Sequence, residues 1–328
     1  MTPSSSDRTP ISNRWRVSAL AAVPAIALTY AALRPPSSST ATNDLLNVVA
    51  TTGQVGDLAR NVGGETVSVS TLMGPGVDPH LFKASESDVI ELIDSDLILY
   101  SGLHLEGNLA EVLEQAGKRQ PVAAVSSGVP EDELIQPLDN AFDGNPDPHF
   151  WFDPILWRDA AEEASRAFAN ADPANAAAYS SAAETYGNEL VELDQWAAEQ
   201  FSRIAESSRI LVTAHDAFGY LGRRYGLDVV GLQGISTATE AGVRDVQNIA
   251  DLIATNEIRA VFVETSVPRR TIEAVQVAVA DRGWTVEIGI SLYSDAMGDE
   301  GTPEGTYIGM MRHNVNAIVS GLTGELSE

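Results

Sequence analysis

Between positions 172 and 207 the chain carries apolar residues at Ala176, Tyr179, Ala183, Tyr186, Leu190, Leu193, Ala197, Phe201 and Ile204. This 3–4 alternation lays one apolar stripe along a single helix. Asp172 is placed to cap it and Pro173 occupies the first helical position, where a missing N–H costs nothing. Gly187 is its one breaker. At 1.5 Å per residue the predicted rod is roughly 50 Å long, enough to span a domain. On both sides the pattern shortens. Strands are expected at 46–51, 66–71, 97–100 and 121–125 before the rod, and at 209–213, 228–231, 260–263 and 285–290 after it. Helices are expected at 55–62, 86–93, 109–116 and 155–171, then at 215–225, 243–256 and 271–281, with a last one ending near 322. Strands separated by 10–15-residue helical stretches form parallel sheets. The expected fold is therefore α/β: two parallel-sheet lobes, 45–171 and 208–328, joined by one long rigid helix over 172–207.

Composition narrows the function. A length of 328 residues suits two domains, and 44% hydrophobic residues suffice for real cores. The net charge of −26 argues against a nucleic-acid partner, which requires a basic face. With no cysteine at all, disulfides, thiolate metal sites, cysteine nucleophiles and a lipidated N-terminal cysteine are excluded. Arg8, Arg14 and Arg16 precede an apolar run at 17–33, the pattern of an export signal over 1–35. The same run is short but usable as an uncleaved anchor. A Pro/Ser/Thr-rich linker at 36–44 follows.

In open parallel sheets ligands sit beyond the carboxyl ends of strands. Four notable residues lie in such loops or in an insertion replacing one. The triplet Asp-Pro-His occurs twice, ending in His80 and His149; His215 follows a strand in LVTAHDAFGYLG, and Asp295 lies in SLYSDAMG. Proline stiffens each triplet, so both imidazoles are presented from constrained turns. Three imidazoles and a carboxylate suit Zn²⁺ or Mn²⁺, with Asp78, Asp147 or Asp216 available to orient the rings. Spacing alone leaves open the alternative of four unrelated loop residues. His104, Glu240 and Glu264 also follow strands and are read as pocket-wall or outer contacts. His313 is read as structural or exposed, and Met310–Met311 as core. Phosphate-binding glycine motifs are absent, so no nucleotide is expected on this chain.

Taken together, GVDPHLF, DPHFWFDP, LVTAHDAFGYLGRRYGL, GLQGISTATEAG, VFVETSVP and SDAMGDEGTPEGTYIGMMRHN resemble the metal-binding solute-binding proteins of ABC transporters, most closely the TroA-like zinc/manganese group. The resemblance covers about residues 45–322, with the motifs in order and in their βα context. It implies two lobes on a rigid helix and a metal buried between them, held by His80, His149, His215 and Asp295. It further implies a monomeric, non-enzymatic periplasmic receptor delivering Zn²⁺ or Mn²⁺ to a membrane permease driven by a separate ATPase. Members that lean to manganese often carry Glu where this chain has His215, and zinc-specific members often carry a His-rich loop where 126–148 has no His. These departures pull in opposite directions. The alternatives weighed are a periplasmic metallohydrolase, for which no clustered zinc-hydrolase motif is present, and a metal-containing surface adhesin. Imidazoles bind metal only when neutral, so with ordinary histidines affinity is expected to fall steeply below about pH 6.

Overall fold

The structure, a computed structural model, describes residues 45–137, 142 and 144–325. The leader expected at 1–35 and the linker at 36–44 lie outside the described residues. Strand β1 (Leu46–Ala50) is buried from Val48 onward, as the inner end of a central parallel strand must be, and pairs with β2 (Val67–Thr71) and β3 (Leu97–Tyr100). With β4 (Val122–Ala124) the parallel order is β2-β1-β3-β4. Helices α1 (Gly53–Gly63), α2 (Glu86–Asp94) and α3 (Ala110–Ala116) make the crossovers. Thr52 caps α1, and a Ser85/Asp88 capping box opens α2.

The second half repeats this plan. Strands β5 (Ile210–His215) and β6 (Asp228–Gln233) pair in parallel, as do the short β7 (Ala260–Val261) and β8 (Glu287–Ile288). The Phe262 N–H donates to the Val212 carbonyl at 2.9 Å, which sets β7 beside β5 and gives the order β6-β5-β7-β8. Helices α6 (Gly219–Tyr225), α7 (Val243–Thr255), α8 (Arg270–Ala280) and α9 (Tyr307–Thr323) complete it. The strands expected at 260–263 and 285–290 are shorter because the pairing bulges. Val261 and Val263 accept from Gly289 and Leu292, so three residues on one side face two on the other. Gly289 is required there, since a Cβ would lie 2.6 Å from the Phe262 ring.

Helix α4 (Pro154–Ala171) leads into the long helix α5 (Ala176–Phe201), whose buried residues are Tyr179, Ala183, Tyr186, Gly187, Leu190, Leu193, Ala197 and Phe201. The apolar stripe is as expected, but the rod is shorter than 172–207. Its 26 residues span about 39 Å. Asp172 is not the N-cap of α5, a position that Asn175 takes. The Asp172 carboxylate accepts from Asn175 Nδ2 (2.6 Å) and Tyr179 Oη (2.9 Å), while Pro173–Asn175 form a 3₁₀ turn. At the other end the Arg209 guanidinium binds the carbonyls of Phe201 and Ile204, satisfying acceptors that a longer helix would have used itself, and also that of Tyr225 at the end of α6. One hydrophobic core runs from β1 and β3 through α4 and α5 to α9 and Phe262. Met310 and Met311 are fully buried in it. A second core fills the space between β5–β7 and helices α7 and α8.

Candidate metal centre

Both Asp-Pro-His triplets fold alike. Asp78 Oδ1 accepts the His80 N–H at 2.9 Å, and Asp147 Oδ1 accepts the His149 N–H at 2.9 Å. An Asp side chain turning back onto the backbone two residues later is an Asx turn. The intervening Pro has no N–H to compete for the oxygen. Asp147 Oδ1 also meets His149 Nδ1 at 2.7 Å, so one carboxylate holds both backbone and ring. Directly after His149, Phe150, Trp151 and Phe152 are fully packed into the core. Trp157 stacks on Tyr307, whose hydroxyl donates to the Trp151 carbonyl at 2.6 Å. The loop bearing His149 is thereby anchored to α9.

His215 is the last residue of β5, in register with Gln233, rather than the first turn of a helix as its sequence suggested. Helix α6 begins only at Gly219, after the chain has turned. Glu264 binds His215 twice: Oε1 accepts its N–H at 2.9 Å and Oε2 contacts ring Nδ1. Asp295 lies beyond β8 on a segment pinned from two helices. Asn314 of α9 bonds the Tyr293 N–H and carbonyl, and Gln54 of α1 donates to the Ser294 carbonyl.

The four residues converge. One ligand-type atom from each of His80, His149, His215 and Asp295 lies within 4.8 Å of the others, and all four side chains are buried. His80 Nε2 faces His149 Nε2 at 3.4 Å, and the two Asp295 oxygens lie 3.3 Å from His149 Nε2 and His215 Nε2. Both Asp295 oxygens and His215 Nε2 are buried without a hydrogen bond of ordinary geometry. Such orphaned groups are rare and costly unless something else binds them. Four N/O ligands about 2.0–2.1 Å from a tetrahedral cation would have edges of about 3.3–3.4 Å. Three of the separations lie near that figure, two of them ending on different Asp295 oxygens, and all four ligand atoms lie within 4.8 Å of one another, so the donor set fits a metal.

Charge follows the same geometry. Burial opposes protonation of His149, but Asp147 and Asp295 outweigh it and raise the ring to about 9. Burial likewise opposes a charge on His215, and Glu264 and Asp295 overcome it, leaving that ring well above its ordinary value. Burial would raise Asp295, yet His215 and His149 hold it well below the usual carboxylate range. His80 differs: burial dominates and lowers it to about 4. The surrounding carboxylates thus favour the protonated forms of His149 and His215, while burial keeps His80 neutral.

A model of a periplasmic zinc-uptake component, ZnuA, matches residues 48–321. The chain belongs to the ZnuA family. Among family relatives it is 48% identical over 287 residues to the manganese-binding lipoprotein MntA of Bacillus subtilis, covering 87% of this chain and 92% of MntA. It is 42% identical over 275 residues to the zinc-binding protein TroA of Treponema pallidum, covering 84% and 88%. The structure of the periplasmic zinc-binding TroA of that organism superposes with a TM-score of 0.82 at 41% identity, over 85% of this chain and 99% of TroA. ZnuA-family proteins are metal-binding solute receptors of ABC transporters rather than enzymes, and the α/β fold on a long helix is theirs.

The remaining sequence candidates fall outside the cluster. His104 is exposed at the tip of a tight loop where it and Leu103 both adopt positive φ, and its ring packs edge-on to Phe142. His313 Nε2 meets the Ser291 carbonyl, and Glu240 pairs with Arg270 on the surface. Of the three carboxylates suggested to orient rings, only Asp147 does so. Asp78 holds His80 by its backbone, and Glu264, not Asp216, holds His215. Glu106 escaped the sequence reading. It is buried and accepts from Thr51 Oγ1, Ser101 N–H and Gly102 N–H, knitting the loops after β1 and β3 together. Nothing in its local sequence separates it from a surface glutamate.

Proposed function

We propose that His80, His149, His215 and Asp295 ligate a single divalent transition metal, and that this chain captures the ion outside the cytoplasm and hands it to the membrane subunits of its importer. The observation that carries this reading is the convergence of four buried ligand-type atoms within 4.8 Å of one another, with the Asp295 oxygens and His215 Nε2 lacking hydrogen-bond partners. Four protein donors would close the coordination sphere, as in a holding site rather than a catalytic one. Three nitrogens and one oxygen favour Zn²⁺ over Mn²⁺ on donor chemistry. Lobes at 45–171 and 208–328 flanking the helix each contribute two ligands, and a permease with a separate ATPase would receive the ion. MntA is a lipoprotein by name, whereas this chain has no cysteine to acylate. The run at 17–33 is thus our candidate for its export and any membrane attachment. The test is metal analysis of protein purified without chelator, followed by Zn²⁺/Mn²⁺ competition titration. One equivalent of bound metal, lost in the ligand variants, is expected. Full binding in variants lacking two of the four residues would overturn the assignment.

A further inference from the structure

The three histidines of the site are not held equally. His149 and His215 are completely buried, and each ring is gripped by a carboxylate, Asp147 and Glu264. His80 is the most exposed of the four at 8%, and among the described residues no carboxylate bonds its ring. Apart from the contact of its ring with His149 Nε2, it is held through its main chain: the N–H by Asp78 Oδ1 at 2.9 Å and the carbonyl by Asn108 Nδ2 at 2.9 Å. Asp78 has a second oxygen, and it does not stay within the first lobe. Oδ2 accepts the hydroxyl of Thr237 at 2.5 Å. Thr237 belongs to the loop between β6 and α7, 159 residues further along the chain, and it is itself buried. A hydroxyl donating to a carboxylate at this distance is a charge-assisted bond, among the stronger neutral–ionic contacts available.

We propose that Thr237 is a positioning residue for metal retention: through Asp78 it holds His80 in the closed site from the opposite lobe. The carboxylate is a two-ended strap, one oxygen on the His80 backbone and the other on the facing loop. When the Thr237–Asp78 bond opens, the His80 turn loses this tie to the β6–α7 loop while His149, His215 and Asp295 keep their own supports. His80 is then the last ligand to engage and the first to leave, and the strap sets the rate of release. The thiol-free, carboxylate-rich surroundings supply no other polar tie of this kind between the His80 turn and the β6–α7 loop among the described residues. This inference rests on the reading of His80 as a metal ligand.

The experiment loads the full chain with Zn²⁺, mixes it with an excess of a chromogenic chelator in a stopped-flow instrument, and follows the appearance of chelated zinc. The variants are Thr237→Val, which keeps the shape and removes the donor, Thr237→Ser, which keeps the donor, His80→Ala, and the double variant His80→Ala with Thr237→Val. Thr237→Ala reports the same loss should the valine variant not fold. Loss of one charge-assisted bond is expected to speed release about tenfold in Thr237→Val, with Thr237→Ser within about twofold of wild type. In the His80→Ala background Thr237→Val is expected to add nothing, because the strap then holds no ligand. Release from Thr237→Val at the wild-type rate, with His80→Ala faster, overturns the strap while leaving the ligand assignment intact. An equal acceleration in both backgrounds shows that Thr237 acts elsewhere and also overturns it. Wild-type release from His80→Ala refutes the ligand reading itself.

Discussion

Asp147 offers the sharpest test of how the site is built, because one side-chain oxygen supports His149 at two points. Replacing it with alanine leaves the backbone N–H and ring Nδ1 of a fully buried histidine without their partner. Hydrogen bonds to charged groups contribute about 1.5–3 kcal/mol. At 1.4 kcal/mol per decade that is a loss of about 10- to 150-fold in metal affinity, in line with the 10–100-fold typical of partners behind a metal ligand. Asp147→Asn keeps an acceptor but not the charge, so it separates orientation from electrostatics and should fall between alanine and wild type.

The pH at which the comparison is made decides its size. Asp147 is also the chief reason that the His149 ring holds its proton up to about pH 9, and a metal must displace that proton. Wild type is therefore handicapped at pH 6.5 in a way that Asp147→Ala is not. The full loss should appear near pH 9 and shrink as pH falls. The assay is a competition titration against a chelator of known affinity at pH 6.5, 7.5 and 9, at one ionic strength. An alanine variant within threefold of wild type at pH 9, or a ratio that does not change with pH, would refute the reasoning.

Further expectations follow from the same geometry. Each of His80→Ala, His149→Ala, His215→Ala and Asp295→Ala should weaken metal binding at least ~10-fold, since each removes a direct ligand, while His313→Ala should not; competition titration at pH 7.5 distinguishes them. Folded His149 and His215 lie above the ordinary value near 6.5, so the stabilisation of the metal-free protein by their protonated forms is complete below that value; the His149 share is lost as pH rises through about 9, and the His215 share as pH rises through its own raised value. The zinc-induced rise in Tm should accordingly be larger at pH 9 than at pH 6, and an equal rise at both would contradict the assignment. Replacing His215 by Glu exchanges a nitrogen for a harder oxygen and should narrow the preference for Zn²⁺ over Mn²⁺, mainly by weakening zinc; paired titrations showing an unchanged ratio would place the origin of the preference elsewhere.

Much of this was legible in the chain itself, and what was not has identifiable causes. The α5 stripe from Tyr179 to Phe201 and the alternation of strand and helix are periodic signals, and periodicity survives into the fold. Its ends did not, because they are set by long-range partners: Arg209 closes the C-terminal end with a side chain from β5's approach, which no local pattern displays. The repeated Asp-Pro-His triplet pointed to His80 and His149 because Asx turns are local chemistry. Glu264 as the partner of His215 was not legible, since 49 residues separate them and only the β5–β7 contact brings them together. The carboxylates that raise His149 and His215 were not legible for the same reason, since sequence spacing scatters them, whereas burial shifts His80 the other way.

The same packing argues for how the site opens. At the helix side of the molecule the halves are not separate bodies touching at a rim. Asp57 of α1 accepts the Tyr307 N–H, Tyr307 reaches the Trp151 carbonyl, and Trp157 stacks on Tyr307 within one continuous core. Each aromatic side chain of this size buries about 150–250 Å², or about 4–6 kcal/mol at 25 cal/mol/Å². Pulling Trp151, Trp157 and Tyr307 apart would cost about 12–18 kcal/mol, comparable with the 10–16 kcal/mol that a structural zinc site supplies. A receptor that opened this way would expend its whole binding energy on the hinge and keep none for capture. Motion confined to the loops avoids that cost, since the His80 turn and the β6–α7 loop are joined by the Asp78–Thr237 bond and lie outside the aromatic core. Release is therefore expected to follow small local displacements at the ligand loops, with α5 and the core beneath it left intact.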